Sequence, residues 1–470
     1  MIGKLVVCPI CGKKTYLCIQ EGGYVNKYPV RIICMNCRAL LKGKYIMDPE
    51  ASTKGLIMYN AEVEEAFIDE CSAFGSIDKV DALRIRGADY VAEISGELPC
   101  KPEREYHGGI PDSPYLSAVD YMVSVQNRLD RLTHFTADME EWGKTKSIAF
   151  QLLSEGSIEY IGVALGNRMG AYKYNCDHYL KSIHCLQEVL FEESKYLFVD
   201  WSQDDYYTML ISQLSKIDKE ELHLFCQSLG GTEDLIQSYR KAVEVFSEFV
   251  NIYPNVLPAE TYLHFIKTEN ANDGISTCSF SDLKGFYQDA YEALLSLLHI
   301  PVCLDNIRIR GGYQNFDITF LKVNKGQGIN LDEYRELDNG TRLNKMRIDE
   351  FYQGRVCIPA NRHLRNGIGH NNYHYDGVSQ IITAYDKKGA VKKSLMELAI
   401  DCLRYAKSAV VLSEIILFLL REELRRDGVT TLVHPRFYKG LEPNDKCPCG
   451  SNRKYKNCCK RSFEALSLVK

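Results

Sequence analysis

The sequence predicts a mainly α protein, a helical bundle with a small β module at each end. In the middle of the chain, apolar residues recur at spacings of three and four, as they do on one face of an α-helix. The two ends differ from the middle because each carries four closely spaced cysteines. With 470 residues, 45% of them hydrophobic and 25% charged, the chain is long enough for two to four domains.

The helical periodicity begins near Leu116, and we expect Pro254 and Pro258 to end the first helical region. Residues 61–71 also have the pattern of a helix. The predicted helices beyond these span 147–166, 178–198, 218–229, 233–250, 283–299 (stopped by Pro301) and 394–426. Predicted strands span 5–7 and 28–33, around a turn at 21–23, and a hairpin is predicted from 380–385 and 390–393.

These patterns divide the chain into four parts. We expect a cysteine module at 1–45, a mixed and then helical region of unknown role at 46–250, a helical domain at 255–430, and a second cysteine module at 440–465.

Charge is unevenly distributed along the chain. The formal net charge is −5, yet residues 1–44 carry +7 and residues 436–461 carry +6, so the remainder carries −18. Basic ends on an acidic body predict that the ends contact polyanions. The alternative is that lysines simply decorate two small modules.

Nothing in the sequence predicts export or membrane insertion. Met1–Ile10 is short, contains Lys4 and runs directly into a cysteine pair. The most apolar segment, Ala409–Leu420, is too short for a membrane span and contains Glu414. We therefore expect a cytoplasmic protein without a membrane partner.

The N-terminal cysteines form two C-x2-C pairs, 22 residues apart: Cys8 with Cys11, and Cys34 with Cys37. Two residues between cysteines let one turn aim both sulfurs at a single ion, and four thiolates close a tetrahedral zinc site without an open position. The pattern resembles a zinc ribbon, which implies a structural Zn²⁺. The alternatives are two chance pairs or a redox C-x-x-C pair.

The C-terminal cysteines are Cys447, Cys449, Cys458 and Cys459, in the order C-x-C and then Cys-Cys. With the intervening Gly-Ser-Asn-Arg-Lys-Tyr-Lys they resemble the SEC-C motif. The resemblance implies a second structural Zn²⁺ and a docking module for a protein or the ribosome. Asn452 replaces the usual glycine, but asparagine tolerates the left-handed backbone of a turn.

The candidate active site is Arg365-Asn366-x-x-x-His370. Pro359 suits the first turn of a helix that ends near Gly369, which places the three residues late on that helix. The motif, the turn after it and the long helix beyond resemble HEPN domains, over about 360–426 and more loosely back to 255. Gly367 and Gly369 inside the motif depart from the pattern.

The HEPN resemblance implies an endoribonuclease that needs no metal for chemistry, since the 2′-OH of RNA can attack its own phosphate. His370 would be the general acid or base, Arg365 would hold the scissile phosphate, and Asn366 would orient either of them. Five residues along a helix separate two side chains by about 140°. HEPN enzymes bring such groups together by dimerising, so we expect a homodimer. His363 and His374 flank the motif and are read as bystanders.

Other functions remain open. R-x4-H can occur by chance, and some HEPN domains bind nucleotides or partners without catalysis. In the main alternative, the chain is a non-catalytic adaptor that uses its zinc modules to bind the ribosome, RNA or a protein of export or quality control. A DNA-binding regulator is less favoured, because no helix-turn-helix is evident and the body is acidic.

Overall fold

The structure of the chain is a computed structural model. It describes residues 2–20, 25–47, 55–70, 83–111, 113–114, 147–165, 179–194, 210, 212–265, 274–316, 329–344, 356, 358–359, 361–387, 389–427, 441–447, 452–458 and 460. The predicted turn at 21–23, the helix beginning near Leu116, and the ligands Cys449 and Cys459 lie outside these residues.

Strands and helices are both numbered in chain order. The described strands are β1 (Ile2–Val7), β2 (Lys14–Ile19), β3 (Lys27–Ile33), β4 (Leu40–Ile46), β5 (Gly55–Met58), β6 (Glu62–Glu65), β7 (Ile68–Glu70), β8 (Leu83–Ile85), β9 (Tyr90–Ile94), β10 (Arg104–Glu105), β11 (Tyr373–Asp376), β12 (Ile381–Asp386) and β13 (Gly389–Ser394). The described helices are α1 (Ser147–Glu155), α2 (Ile161–Leu165), α3 (Tyr179–Ser194), α4 (Lys219–Ser228), α5 (Gly231–Phe265), α6 (Phe280–Ser296), α7 (His299–Arg310), α8 (Leu331–Glu336), α9 (Asn339–Asn344), α10 (Arg362–Gly369) and α11 (Leu395–Arg426).

The prediction of a mainly α fold is wrong. About 50% of the described residues are helical, but 21% lie in strands that form four small sheets, so the fold is mixed α/β. Part of the error lies at residues 61–71, where a helix was expected and β6 and β7 occur. All four residues of β6 are exposed. An edge strand that is polar on both faces has no alternation of apolar and polar residues to reveal it.

The chain forms two compact units, each built from separated segments. Unit 1 comprises Met1–Thr136, Phe249–Gln288 and Asn361–Leu403, and unit 2 comprises Ala137–Glu248, Asp289–Ala360 and Arg404–Lys470. Helices α5, α6 and α11 contribute residues to both units. The four-part division of the sequence stays a prediction.

Unit 1 contains all four sheets. The largest has the order β10-β9-β2-β1-β6, in which β2 and β9 are parallel and the other pairs are antiparallel. The others are β3-β4-β5, β11-β12-β13 and β7-β8. The predicted strands at 5–7 and 28–33 and the hairpin of β12 and β13 are confirmed. A core cluster consists of Leu5, Tyr16, Cys18, Ile85 and Val91.

Unit 2 is helical in its described part, with α1–α4, α7–α9 and portions of the three shared helices. Its buried apolar residues include Leu186, Phe225, Leu235, Leu304 and Leu417. The long helix predicted at 394–426 is confirmed as α11. No helix in the described part of the chain is long and apolar enough to cross a membrane.

Two expectations about prolines are wrong. Helix α5 continues through Pro254 and Pro258, although an interior proline costs about 3 kcal/mol. Burial of Tyr253, Val256 and Leu257 around them offsets this cost. The helix predicted to stop at Pro301 ends at Ser296 instead, and Pro301 lies in the first turn of α7, where no N–H is needed.

Candidate functional site

The four N-terminal cysteines meet at one point in unit 1. Cys8 and Cys11 lie in the turn after β1, and Cys34 and Cys37 lie in the turn after β3. Their four sulfurs lie within 4.8 Å of one another, with Sγ–Sγ distances of 3.5 Å for Cys8–Cys37 and 3.6 Å for Cys11–Cys34. A tetrahedral ion with Zn–S bonds of about 2.3 Å requires edges of about 3.8 Å. The four sulfurs therefore fit a zinc ion, and the chain has a four-cysteine cluster that could hold one metal ion.

The two cysteine turns have the same backbone design. The N–H of Cys8 donates to Lys13 O and that of Cys34 to Ala39 O, each at 2.9 Å. The residue after the second cysteine is left-handed in both turns, Gly12 with φ +71° and Arg38 with φ +63°. This conformation costs a non-glycine residue about 1 kcal/mol. Arg38 also forms an ion pair with Asp376 at 3.1 Å, which links its turn to the end of β11.

The protein environment acts unequally on the thiols. A hydrogen bond from the backbone N–H of Lys13 lowers the pKa of Cys11 to about 7, against the opposing effect of burial. Burial raises the pKa of Cys34. A bound cation favours the thiolate form of a cysteine. Metal binding would therefore offset the effect of burial, which disfavours the thiolate of Cys34.

The buried carboxylate of Glu103 forms a hydrogen bond that supports the second cysteine turn. Glu103, 7% exposed, accepts hydrogen bonds from the hydroxyl of Thr15 on β2 and from the backbone N–H of Met35. Desolvation raises the pKa of Glu103, while these two donors lower it. The carboxylate thus holds the turn between Cys34 and Cys37 against β2.

At the C-terminal cysteines, the described part includes two of the four predicted ligands. Cys447 is buried, and its N–H donates to Arg453 O at 2.8 Å, closing a loop that contains Asn452. Asn452 has φ +56°, so the left-handed turn expected there is confirmed. Cys458 follows a short 3-10 helix, Tyr455–Asn457. This backbone brings the start and the end of the motif close together.

Helix α10 carries the candidate catalytic residues in unit 1. Asn361 caps it, because its Oδ1 accepts the N–H of Leu364 at 3.0 Å. The expectation that Pro359 lies in its first turn is wrong, since the helix begins at Arg362. It ends at Gly369; the C-cap residue His370 donates its N–H to Asn366 O at 3.0 Å, and Asn371 then turns left-handed with φ +54°.

The structure places Arg365, Asn366 and His370 on the last turn and a half of α10. His370 is exposed, while the other two are half-buried. Arg365 Nη1 donates to Asn366 Oδ1 at 3.3 Å. The same nitrogen lies 3.9 Å from where a Cβ on Gly369 would stand, so the guanidinium extends toward the end of the helix. An arginine and an exposed histidine therefore share one helix end.

Sequence analysis missed the neighbours of this helix end. Gln288 of α6 lies beside it, and Lys284, four residues earlier on α6, contacts Tyr373, three residues beyond His370. Lys284 Nζ donates to the Tyr373 hydroxyl at 3.2 Å and lies 5.7 Å from the centre of that ring. Gln288 Nε2 lies 3.2 Å from the Cβ position of Gly369. Their i,i+4 spacing was a signal for a shared face, but not for what that face contacts.

The two flanking histidines have different surroundings. His363 forms a hydrogen bond through Nδ1 with Asp386 of β12, which joins the start of α10 to the β12–β13 hairpin. His374 is exposed on β11. The bystander role predicted for both stays a prediction.

Comparisons with known proteins bear on one end of the chain. Comparison with curated proteins and with solved structures found no match. Residues 444–461 match the model of the SEC-C motif, so the chain carries a SEC-C motif, and the matched range contains all four predicted cysteine ligands, Cys447, Cys449, Cys458 and Cys459.

Proposed function

We propose that this chain is a HEPN-type endoribonuclease that cleaves RNA without a catalytic metal. The observation that carries the proposal is that the Arg365 guanidinium and the exposed His370 lie at the same end of α10. His370, exposed to solvent, would serve as the general acid or base. Arg365 remains charged and can hold two oxygens of the scissile phosphate, with Asn366 holding the guanidinium in place.

The surroundings of α10 support an RNA substrate. Three residues beyond His370, Tyr373 adds an aromatic ring, and Lys284 adds a second cation in contact with that ring. The cation can bind the phosphate backbone of RNA, and an unstacked base can stack on the aromatic ring. In this proposal Lys284 and Tyr373 bind the nucleotides next to the cleaved bond, while Arg365 and His370 act on the bond itself.

The proposed enzyme is a homodimer. One copy of α10 offers a single guanidinium and a single imidazole, and both lie on one side of a bound phosphate. In the transition state, the phosphate must be contacted from two opposite sides. Two copies related by a twofold axis would place the Arg365 of one opposite the His370 of the other. An RNA-cleaving toxin or anti-phage effector is the cellular role that this chemistry suits.

The test is cleavage of a labelled single-stranded RNA by purified protein. His370→Ala should lower the rate by about 10²–10⁴-fold through loss of proton transfer, and Arg365→Ala by about 10²–10³-fold through loss of charge stabilisation. Lys284→Ala should mainly raise KM. Matched controls are His374→Ala, exposed on β11, and Arg362→Ala, at the start of α10; both should cleave like the unaltered protein. Equal rates for the unaltered protein and all five variants would reject the proposal.

A second candidate function rests on the SEC-C match at residues 444–461. In that reading the chain is an adaptor, and two structural zinc ions, one at each end, hold modules that dock to a ribosome, RNA or protein partner. Removal of residues 440–470 separates the readings. An adaptor should then lose every partner in a pull-down, whereas a nuclease should keep cleaving naked RNA.

A further inference from the structure

Unit 2 contains a cavity of about 350 Å³ that the proposed nuclease chemistry does not use. Its walls come from α5, α8, α9 and the junction of α6 with α7, and it includes Lys241, Ser296, His299, Arg335 and Arg342. A volume near 350 Å³ lies in the range of small-molecule sites, about 300–1,000 Å³. It is too small for a folded protein segment or a nucleic-acid helix.

The charges of the lining are predominantly positive. Three cations, Lys241, Arg335 and Arg342, come from three different helices, and Asp234 is the carboxylate among the lining residues. Lys241 Nζ donates to the hydroxyl of Ser296 at 3.0 Å rather than to an acid. Among the described residues, Arg335 has no hydrogen-bond or ion-pair partner. A net lining charge of about +2 matches a phosphate dianion.

Arg342 is fixed in position before any ligand binds. Its Nη1 donates to Leu295 O at 3.2 Å and its Nη2 to Asn339 Oδ1 at 2.6 Å. Burial lowers the pKa of Arg342, which means that this cation has already lost part of its hydration. An anion that enters the cavity would therefore meet a partly desolvated guanidinium, where charge-assisted hydrogen bonds are strong.

The same three cations affect the pKa of His299. Burial, Arg335, Arg342 and Lys241 together lower its pKa to about 3, although a hydrogen bond to Ser296 O opposes them. The ring is thus neutral at physiological pH. Its Nδ1, 3.0 Å from the Ser296 carbonyl, must carry the proton, so Nε2 can only accept a hydrogen bond, as from a ligand hydroxyl.

We propose that this cavity binds a phosphorylated small molecule, with Arg335, Arg342 and Lys241 holding its phosphate group. Arg342 supplies the rigid part of the site, and Arg335 the exposed cation that closes on the anion. The hydroxyls of Ser238 and Ser296 and the imidazole of His299 suit the polar remainder of such a molecule. This inference does not depend on the proposed nuclease, because none of these residues belongs to the site on α10.

Isothermal titration calorimetry on the full-length protein tests the inference. The probes are inorganic phosphate, pyrophosphate, ribose 5-phosphate and ATP, with unphosphorylated ribose and adenosine as negative arms. At least one phosphorylated probe should bind with one site per chain, and neither negative arm should bind. The strongest probe then identifies whether free phosphate, a sugar phosphate or a nucleotide is the source.

Variants locate the binding site. Arg335→Gln and Arg342→Gln should each weaken binding about 10- to 100-fold, the effect of losing one charge-assisted hydrogen bond. Arg426→Gln, with the same loss of charge in unit 2 and an ion pair to Glu220, should bind normally. Arg335 is exposed and forms no hydrogen bond or ion pair with the described residues, so its variant should fold even if Arg342→Gln does not. Lack of binding by all phosphorylated probes, or binding that Arg335→Gln leaves intact, would overturn the inference.

Discussion

At the scale of single residues, the packing of Gly367 explains why the helix that carries the proposed catalytic residues contains glycine. A Cβ at this position would stand 2.6 Å from the Cβ of Ala384 and 3.1 Å from the backbone nitrogen of Tyr385. Helix α10 therefore packs against β12 at a distance that only glycine permits. The close packing therefore accounts for Gly367, one of the two glycines that depart from the HEPN pattern in the sequence.

Gly367→Ala should destabilise the protein by about 1–3 kcal/mol, because the overpacking of a buried contact outweighs the gain of about 1 kcal/mol in helix propensity. The control is Gly285→Ala on α6, where no atom lies within 4 Å of the added Cβ. That variant should be as stable as the unaltered protein or slightly more so. Urea denaturation measures both, and a Gly367→Ala protein of unchanged stability would contradict the close packing.

Residues that are near in sequence could be predicted to act together, and residues far apart could not. Arg365, Asn366 and His370 lie within six positions, and regular helix geometry relates them. The spacing of the N-terminal cysteines was likewise readable. Lys284 and Tyr373 are 89 positions apart, and their contact depends on how α6 packs beside β11, which no local pattern encodes.

At the scale of elements, the strands between residues 40 and 105 were largely missed. These strands are short, and two of them, β6 and β10, are polar and mostly exposed. Their hydrogen bonds to β1 and β9 hold them in the sheet, and those partners are set by tertiary structure. The β12–β13 hairpin was found because its turn residues and its alternation are both local signals.

Two ion pairs join β3 and the second cysteine turn to the elements that carry Lys284 and Tyr373. Arg31 of β3 pairs with Asp282 of α6 at 3.2 Å, and Arg38 pairs with Asp376 of β11 at 3.1 Å. The first pair lies on the helix of Lys284, and the second on the strand of Tyr373.

Glu103 should be needed for tight zinc binding although it does not contact the metal. Glu103→Ala removes the acceptor for Met35 N–H and should weaken zinc affinity about 10- to 100-fold. Glu105→Ala, two residues away and exposed, is the matched control and should bind zinc normally. Competition with a chromophoric chelator gives both affinities. Equal values would mean that the carboxylate does not support the cysteine turn.

At the scale of the whole molecule, the two units interleave along the chain in a way that the sequence did not reveal. Helices α5, α6 and α11 each divide between units, so neither unit is a continuous segment. Sequence patterns mark where a helix begins and ends, but not which compact unit each half of it joins. The SEC-C motif was identifiable because its 18 matched residues are contiguous.

The central claim is that the Arg365 of one copy and the His370 of another cut RNA together. Co-expression of an Arg365→Ala chain and a His370→Ala chain with different tags allows the mixed dimer to be purified. Each mixed dimer would keep one intact site of two, so it should cleave RNA at about half the normal rate, far above either variant alone. A mixed dimer as inactive as its parents, or full activity in a monomer, would contradict the account.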